Sequence, residues 1–226
     1  MESIIVEIRP GEGGADARDL IHVQFGIYGK ACNLMNFSIE EITINENIVV
    51  FKVSGKGVIR FFESEAGGLR WQRVPPTEKR GRVHTSTITV AVLPEAKQQE
   101  IHIDPKDLKE SFTCGSGPGG QHRNKNATAV QLTHLPSGVT VRAESSKSQK
   151  TNRENALAIL KAKLLSEKKK IYSKKREQIR QEQVGSGMRG DKIRTIQVKH
   201  NIVSCHITGK KISYKDYYRG KITGLK

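Results

Sequence analysis

With 226 residues the chain is long enough to bury a core and to form one or two domains. Its 39 Lys and Arg against 23 Asp and Glu leave a formal charge of +16, clustered along the chain, which favours a polyanionic partner and nucleic acid first. No apolar run approaches the roughly 20 residues of a membrane-spanning helix, the start Met1-Glu2-Ser3-Ile4 lacks a signal-peptide layout, and Cys32, Cys114 and Cys205 lie far apart outside any CxxC spacing, so a cytoplasmic protein without membrane contact, disulfide, metal or cofactor is expected.

Ile5, Val6 and Ile8 predict an opening strand that stops at Pro10 and the glycine-rich turn Gly11-Glu12-Gly13-Gly14. A helix follows, with Asp16 as N-cap and Leu20, Val23, Ile27 and Ala31 at helical spacing towards Met35. Strand-like runs then cover residues 37–44, 48–53 and 58–62, and β-branched residues fill 85–93. The polar stretch 94–105 reads as a linker to a second unit. There, residues 127–133 and 139–143 read as strands joined by Leu135-Pro136-Ser137-Gly138. Thr151 and Glu154 fit a capping box opening a long helix whose apolar positions, Ala156, Ile159, Leu160 and Leu164, give way to charge beyond Glu167. Gly185-Ser186-Gly187 ends that helix, and residues 193–225 resume strand-like alternation. An α+β protein is expected: residues 1–105 a sheet with a covering helix, 106–183 an inserted unit carrying the long helix, 184–226 returning to the first unit. The basic half of that helix, including Lys168, Lys169, Lys170, Lys174, Lys175 and Arg176, suits either RNA or solvent.

Chemistry concentrates in Cys114-Gly115-Ser116-Gly117-Pro118-Gly119-Gly120-Gln121-His122-Arg123-Asn124-Lys125-Asn126. Gly115, Gly117 and Gly120 satisfy G-x-G-x-x-G, but that pattern holds a pyrophosphate only where its last glycine opens a helix. Here Pro118 interrupts the turn and the next regular element reads as a strand, so the dinucleotide reading fails. Paired glycines tolerate positive φ and let a main-chain amide approach a ligand. Gln121 is no general base, yet its side chain can position or exclude water and its N–H can stabilise charge on an ester oxygen. His122, Arg123 and Lys125 suit phosphate.

This loop resembles the GGQ signature of class I peptide-release factors. The resemblance extends through Asn124, Thr128-Ala129-Val130, Thr133-His134-Leu135-Pro136-Ser137-Gly138, Ser148-Gln149 and Asn152, which look like their catalytic domain. It implies that Gly119, Gly120 and Gln121 promote hydrolysis of the peptidyl-tRNA ester inside the ribosome's peptidyl-transferase centre. The Gln121 amide would lie near the terminal tRNA ribose, and a methyltransferase would modify the Gln121 side chain.

A second resemblance runs over residues 65–78 and Gly81-Arg82-Val83-His84-Thr85-Ser86, similar to the codon-recognition domain of bacterial release factors. Pro75-Pro76-Thr77 fits the P-x-T tripeptide of the class reading UAA and UAG, although Pro75-Pro76 also suits an ordinary rigid turn. It places Gln72, Thr77, His84 and Thr85 on codon-contacting positions, and Gly13 and Asp16 at the helix tip that reads the first uridine. The family usually has glutamate where Asp16 stands, and an N-cap explains that residue equally well. Residues 185–195, with Arg189, Lys192 and Arg194, look like the switch loop and would meet RNA; a hinge with a basic surface is the alternative. The family's additional N-terminal helical domain and longer C-terminal segment have no counterpart in the sequence, and Ile196-Gln197-Val198 and Cys205-His206-Ile207 depart from its pattern, which implies a divergent or compact version; a monomer is expected. The rivals are a codon-independent ribosome-rescue hydrolase and a non-catalytic competitor for the ribosome.

Overall fold

The computed structural model describes residues 2–95, 103–116, 120, 125–185 and 190–226. Two compact units share the chain: Met1–Ala96 with Arg176–Lys226, and Lys97–Lys175. Residues 176–183, expected with the inserted unit, belong to the first.

The first unit is built on an eight-stranded sheet. In chain order its strands are β1 (Glu2–Pro10), β2 (Ser38–Asn45), β3 (Ile48–Gly55), β4 (Gly67–Arg73), β5 (His84–Pro94), β9 (Lys192–Gln197), β10 (Ile202–Cys205) and β11 (Lys211–Ser213). Their spatial order is β11-β10-β9-β4-β5-β1-β3-β2. All neighbours are antiparallel except β4 with β9, where the returning chain joins the sheet. Alternation makes the core: Ile4, Val6 and Ile8 of β1 and Val49, Phe51 and Val53 of β3 are buried on one face. Helix α1 (Ala15–Leu34) covers that face with Ala17, Leu20, Ile21, Ile27, Tyr28 and Ala31.

Residues 58–62, expected as a strand, form helix α2 (Val58–Glu63). Gly57 precedes it at φ 80, a left-handed conformation that glycine adopts without a Cβ penalty. Val58, Phe61 and Phe62 then share one buried face at i, i+3 and i+4, while Ile59 and Arg60 point to solvent. The terminal segment also departs from its expected strand pattern. After β11 it forms helix α4 (Tyr214–Tyr218) and a 3-10 turn (Ile222–Leu225), capped by the Ser213 hydroxyl, which accepts from the Asp216 N–H. Tyr217 and Ile222 are thereby buried in the core.

A charged pair sits inside this core. Arg194 of β9 and Glu65 are 1 % and 0 % exposed, and the guanidinium meets the carboxylate in bidentate fashion at 2.5 and 2.9 Å. Tyr28 donates to Glu65 at 3.1 Å, and Tyr217 donates to Gln24 at 3.0 Å beside the same arginine. Burial pushes the Tyr28 phenol well above its ordinary range, with the Glu65 charge adding to it. The expectation that Arg194 meets RNA is corrected, because its guanidinium is enclosed and committed to Glu65.

The opposite face of the sheet carries Glu7, 4 % exposed, between β3 and β5. Arg176 and Arg180, on the end of helix α3 (Gln149–Val184), donate to it at 2.9 and 3.0 Å. Gln183 completes the attachment by accepting from the Val92 N–H and donating to the Val92 carbonyl, both at 2.8 Å. Arg176, assigned to the RNA-or-solvent stretch, instead pairs with this carboxylate.

The second unit is a three-stranded antiparallel sheet, β6 (Leu108–Thr113), β7 (Ala129–His134) and β8 (Thr140–Ala143), packed on the first part of α3. Val130, Leu132, Val141 and Ala143 meet Ala156, Leu160 and Leu164. Helix α3 begins at Gln149, so Thr151 lies inside it; the Thr151 N–H donates to the Ser148 hydroxyl at 3.4 Å. Lys168 is half-buried, while Lys169, Lys170, Lys174 and Lys175 are exposed. Among the described residues no helix is long and apolar enough to cross a membrane. Cys32 and Cys205 are buried and Cys114 is exposed, all as free thiols. Burial pushes the Cys32 thiol up to about 12.

Candidate functional site

One end of the large sheet gathers most of the residues singled out for codon contact. The turn between β1 and α1 is stitched to β5: Gly11 N–H donates to the Thr87 carbonyl at 2.8 Å, and Thr87 N–H to the Glu12 carbonyl at 2.7 Å. Gly13 lies against Ser86 with φ 136, and a Cβ there would stand 2.6 Å from the Ser86 side chain, so only glycine fits.

Asp16 is not the N-cap. Gly14 occupies that position, and Asp16 lies in the first helical turn, 5 % exposed. Its carboxylate accepts from Arg73 Nε at 2.9 Å and from the Ser86 hydroxyl at 2.6 Å, and Nη2 of the same arginine stands 2.7 Å away as an ion-pair contact. Asp16 therefore ties the helix tip to β4 and β5.

Gln72 and Thr85 face each other across the antiparallel β4–β5 pair, as do Arg73 and His84. Gln197 of β9, which stands opposite Gln72 on its other side, donates to the Gln72 side-chain carbonyl at 2.9 Å. The connection from β4 to β5 contains the Pro75-Pro76-Thr77 tripeptide. Glu78 N–H donates to the Pro75 carbonyl at 3.0 Å, closing a turn with Pro75 buried and Pro76 and Thr77 exposed at its tip. A rigid turn and an exposed Pro76-Thr77 tip are thus compatible.

Glu78 organises the remainder of that connection. Its carboxylate accepts from the Arg80 N–H at 2.7 Å, from Arg82 at 3.0 and 3.2 Å, and contacts His84 Nε2 at 2.9 Å. The Arg80 N–H, followed by Arg82, holds this carboxyl below its usual range. A depressed carboxylate contributes above its unfolded value and loses that contribution as pH falls through the lowered one, so the anchor is intact throughout neutral pH. Glu78→Ala is expected to accelerate tryptic cleavage at Lys79, Arg80 and Arg82 equally at pH 6 and pH 8, read by mass spectrometry; unchanged cleavage would remove Glu78 as organiser. Arg73, Ser86 and Glu78 lie within the stretches that carry the resemblance, but nothing in the sequence pairs them with Asp16, Arg82 and His84.

In the second unit, the connection between β6 and β7 carries the glycine-rich motif. Gly119, Gln121, His122 and Arg123 lie outside the described residues, as does Arg189; Gly120 and Lys125 are exposed. Both feet of the connection are hydrogen-bonded. Ser116 is held by Glu144, and the carbonyls of Ala127 and Thr128 accept from Gln149 and Asn152 at 2.9 and 2.8 Å. Lys192 is half-buried at the start of β9.

Two family models match the chain, the second of them running from the second unit into the returning part of the first. The PCRF domain family matches residues 1–90, and the RF-1 domain family residues 97–206. Peptide chain release factor 1 of Carboxydothermus hydrogenoformans is 41 % identical over 214 residues, covering 92 % of this chain and 60 % of that protein. The chain belongs to the class I peptide-release-factor family. Peptide chain release factor 1 of Thermotoga maritima is 40 % identical over 222 residues, 96 % of this chain and 64 % of that one. Among solved structures, RF2 of Thermus thermophilus superposes with a TM-score of 0.57 at 31 % identity, covering 99 % of this chain and 66 % of that chain. The chain thus spans about 60 % of the length of the curated release factors it matches. Family membership gives the α+β units and the glycine-rich connection a common frame.

Proposed function

We propose that the chain terminates translation in the cytoplasm as a monomer, reading UAA and UAG with its first unit and promoting peptidyl-tRNA hydrolysis with the Gly119-Gly120-Gln121 loop of its second. The observation that carries this reading is the assembly at one end of the large sheet. Gly13, Gln72, His84, Thr85 and the Pro75–Glu78 turn are linked through Ser86, Asp16, Arg73 and Glu78. Such an end offers what base edges require: the Thr77 and Thr85 hydroxyls, the Gln72 amide, and a His84 ring 45 % exposed for stacking. Asp16 contributes by holding the helix tip, with its carboxylate already bonded on both oxygens.

In the loop, a glutamine preceded by two glycines supplies an amide N–H and a neutral side chain, with no titratable group of its own. Proton transfer and most of the barrier lowering therefore fall to the ribosome, and Gln121 positions water and ester. His122, Arg123, Lys125, Arg189 and Lys192 would neutralise rRNA or tRNA phosphates, making binding steeply salt-dependent. Side-chain methylation of Gln121 by a methyltransferase leaves this backbone role intact.

The two ends are separable by substitution. On ribosomes carrying labelled peptidyl-tRNA over UAA, Thr77→Ala is expected to raise the concentration needed for half-maximal release. Gln121→Ala is expected to lower the release rate while the chain still binds. Equal release by wild type and Thr77→Ala on stop and sense codons alike would assign the chain to codon-independent rescue. Binding without any release by wild type would make it a competitor.

A further inference from the structure

Residues 114–128 connect β6 to β7, and the last pair beneath that connection is Thr113 with Ala129. The strand β8 ends at Ala143, and Glu144 immediately beyond turns its carboxylate onto the first foot of the connection. The Ser116 hydroxyl donates to Glu144 Oε1 at 2.6 Å, and the Ser116 N–H donates to Oε2 at 3.0 Å. Arg142 donates to the same Oε2 at 2.8 Å and to the Cys114 carbonyl at 3.1 Å, so Cys114 and Ser116 are gripped by one ion pair. The second foot is held by α3. Gln149 donates to the Ala127 carbonyl, and the fully buried Asn152 donates to the Thr128 and Ser146 carbonyls at 2.8 and 2.9 Å while accepting from the Ser146 N–H at 2.9 Å.

The two feet differ in kind. Asn152 is a buried residue that would be retained for folding alone. The Glu144 and Arg142 side chains are 31 % and 40 % exposed, where an ion pair adds little to global stability. Charge-assisted bonds to both the main chain and the hydroxyl of one residue instead restrict a single point of backbone. That point lies five residues before Gln121 in the sequence. The Ser116 hydroxyl, then its N–H, hold the Glu144 carboxyl down at about 2. Such a carboxylate contributes above its unfolded value of about 4.3 and loses that contribution as pH falls towards the lowered one, so the grip is constant across neutral pH.

We propose that Glu144 is a positioning residue for the Gly119-Gly120-Gln121 loop, acting through Ser116 and itself steadied by Arg142. This role rests on the release reading above, and it concerns the rate of the chemical step. Fixing the backbone at Ser116 lowers the entropy cost of aligning a reacting group with the ester.

The test is peptide release from UAA-programmed ribosomes, titrated with the full chain to separate the saturating rate from the half-saturating concentration. A misplacement of about 1 Å costs up to roughly 100-fold in rate, so Glu144→Ala is expected to lower the saturating rate about 10- to 100-fold with half-saturation and melting temperature unchanged. Glu144→Gln keeps one acceptor oxygen and is expected to fall between. Ser116→Ala with Glu144→Ala is expected to be no worse than Glu144→Ala alone, since both remove one coupling. Hydrogen exchange at the Ser116 amide is expected to speed up in Glu144→Ala, while Arg153→Ala, which breaks an exposed pair with Glu110 in the same unit, leaves both readouts unchanged. A saturating rate equal to wild type in Glu144→Ala would overturn this role and leave the release reading standing. A wild-type chain that releases no peptide would remove that reading and this role together.

Discussion

Arg194→Ala is expected to destabilise the first unit by roughly 3–5 kcal/mol, because it leaves the Glu65 carboxylate, 0 % exposed, without its only buried counter-charge among the described residues and with the Tyr28 hydroxyl alone. That is a large share of the roughly 5–15 kcal/mol that separates folded from unfolded domains. The measurement is urea denaturation followed at Trp71, which is buried beside Tyr214 and Tyr217 in the same core. The midpoint should fall, and the slope should hold if the native state keeps its compactness. Arg194→Lys should recover only part of the loss, since an ammonium cannot make the bidentate pair at 2.5 and 2.9 Å. Replacing both partners by apolar residues of similar volume should cost far less than the single change. The surrounding phenols give this core an alkaline limit. Tyr28 is raised above 10.0, first by burial, so its protonated form is favoured in the folded chain. Stability from that shift is fully present below the unfolded value and drains away as pH rises through the folded one. Alkaline unfolding is therefore expected to begin above about pH 10; a stability that is flat to far higher pH would show that Tyr28 ionises without penalty.

Asp16→Ala should cost roughly 2–4 kcal/mol, since it leaves the Arg73 guanidinium, 14 % exposed, and the buried Ser86 hydroxyl without their acceptor. Its functional consequence should be selective. The turn carrying Gly13 is tied to β5 by the Asp16–Ser86 bond and by main-chain bonds to Thr87, while the glycine-rich loop stands on the other unit. At a temperature where the variant remains folded, half-saturation on stop-codon ribosomes should rise while the saturating release rate stays near wild type. Asp16→Asn, which keeps an acceptor for Ser86 and loses the charge for Arg73, separates the two partners. A variant that binds stop-codon ribosomes as tightly as wild type would show that the helix tip takes no part in reading the codon.

What the sequence carried legibly was whatever follows from local chemistry. The alternation of Ile4, Val6 and Ile8, the helical spacing of Leu20 and Ile27, and the stop at Gly185 each arise from neighbours along the chain. Residues 58–62 misled because five residues are too few for period 2 to be told from period 3.6, and the decision rests with Phe37 and Tyr28, which pack on Phe61 and Phe62. Strand β4, Gly-Gly-Leu-Arg-Trp-Gln-Arg, has little strand signal; it is extended because β5 and β9 bond it from both sides. The same holds at the site. Gln72, Thr77, His84 and Thr85 are visible as a motif, yet the groups that assemble them, Asp16 with Arg73 and Ser86, are up to 70 residues apart in sequence. Arg194 misled most: a basic residue beside a glycine-rich loop reads as surface, and only its distant carboxylate partner, Glu65, gives it a reason to be inside.

If codon and ester are handled by different parts of one chain, as proposed, the rate of peptide release as a function of the codon shows it most directly. Ribosomes carrying the same labelled peptidyl-tRNA over UAA, UAG, UGA or a sense codon should release peptide rapidly on the first two and slowly on the others. Release at one rate on all four codons, or none on any, would contradict it.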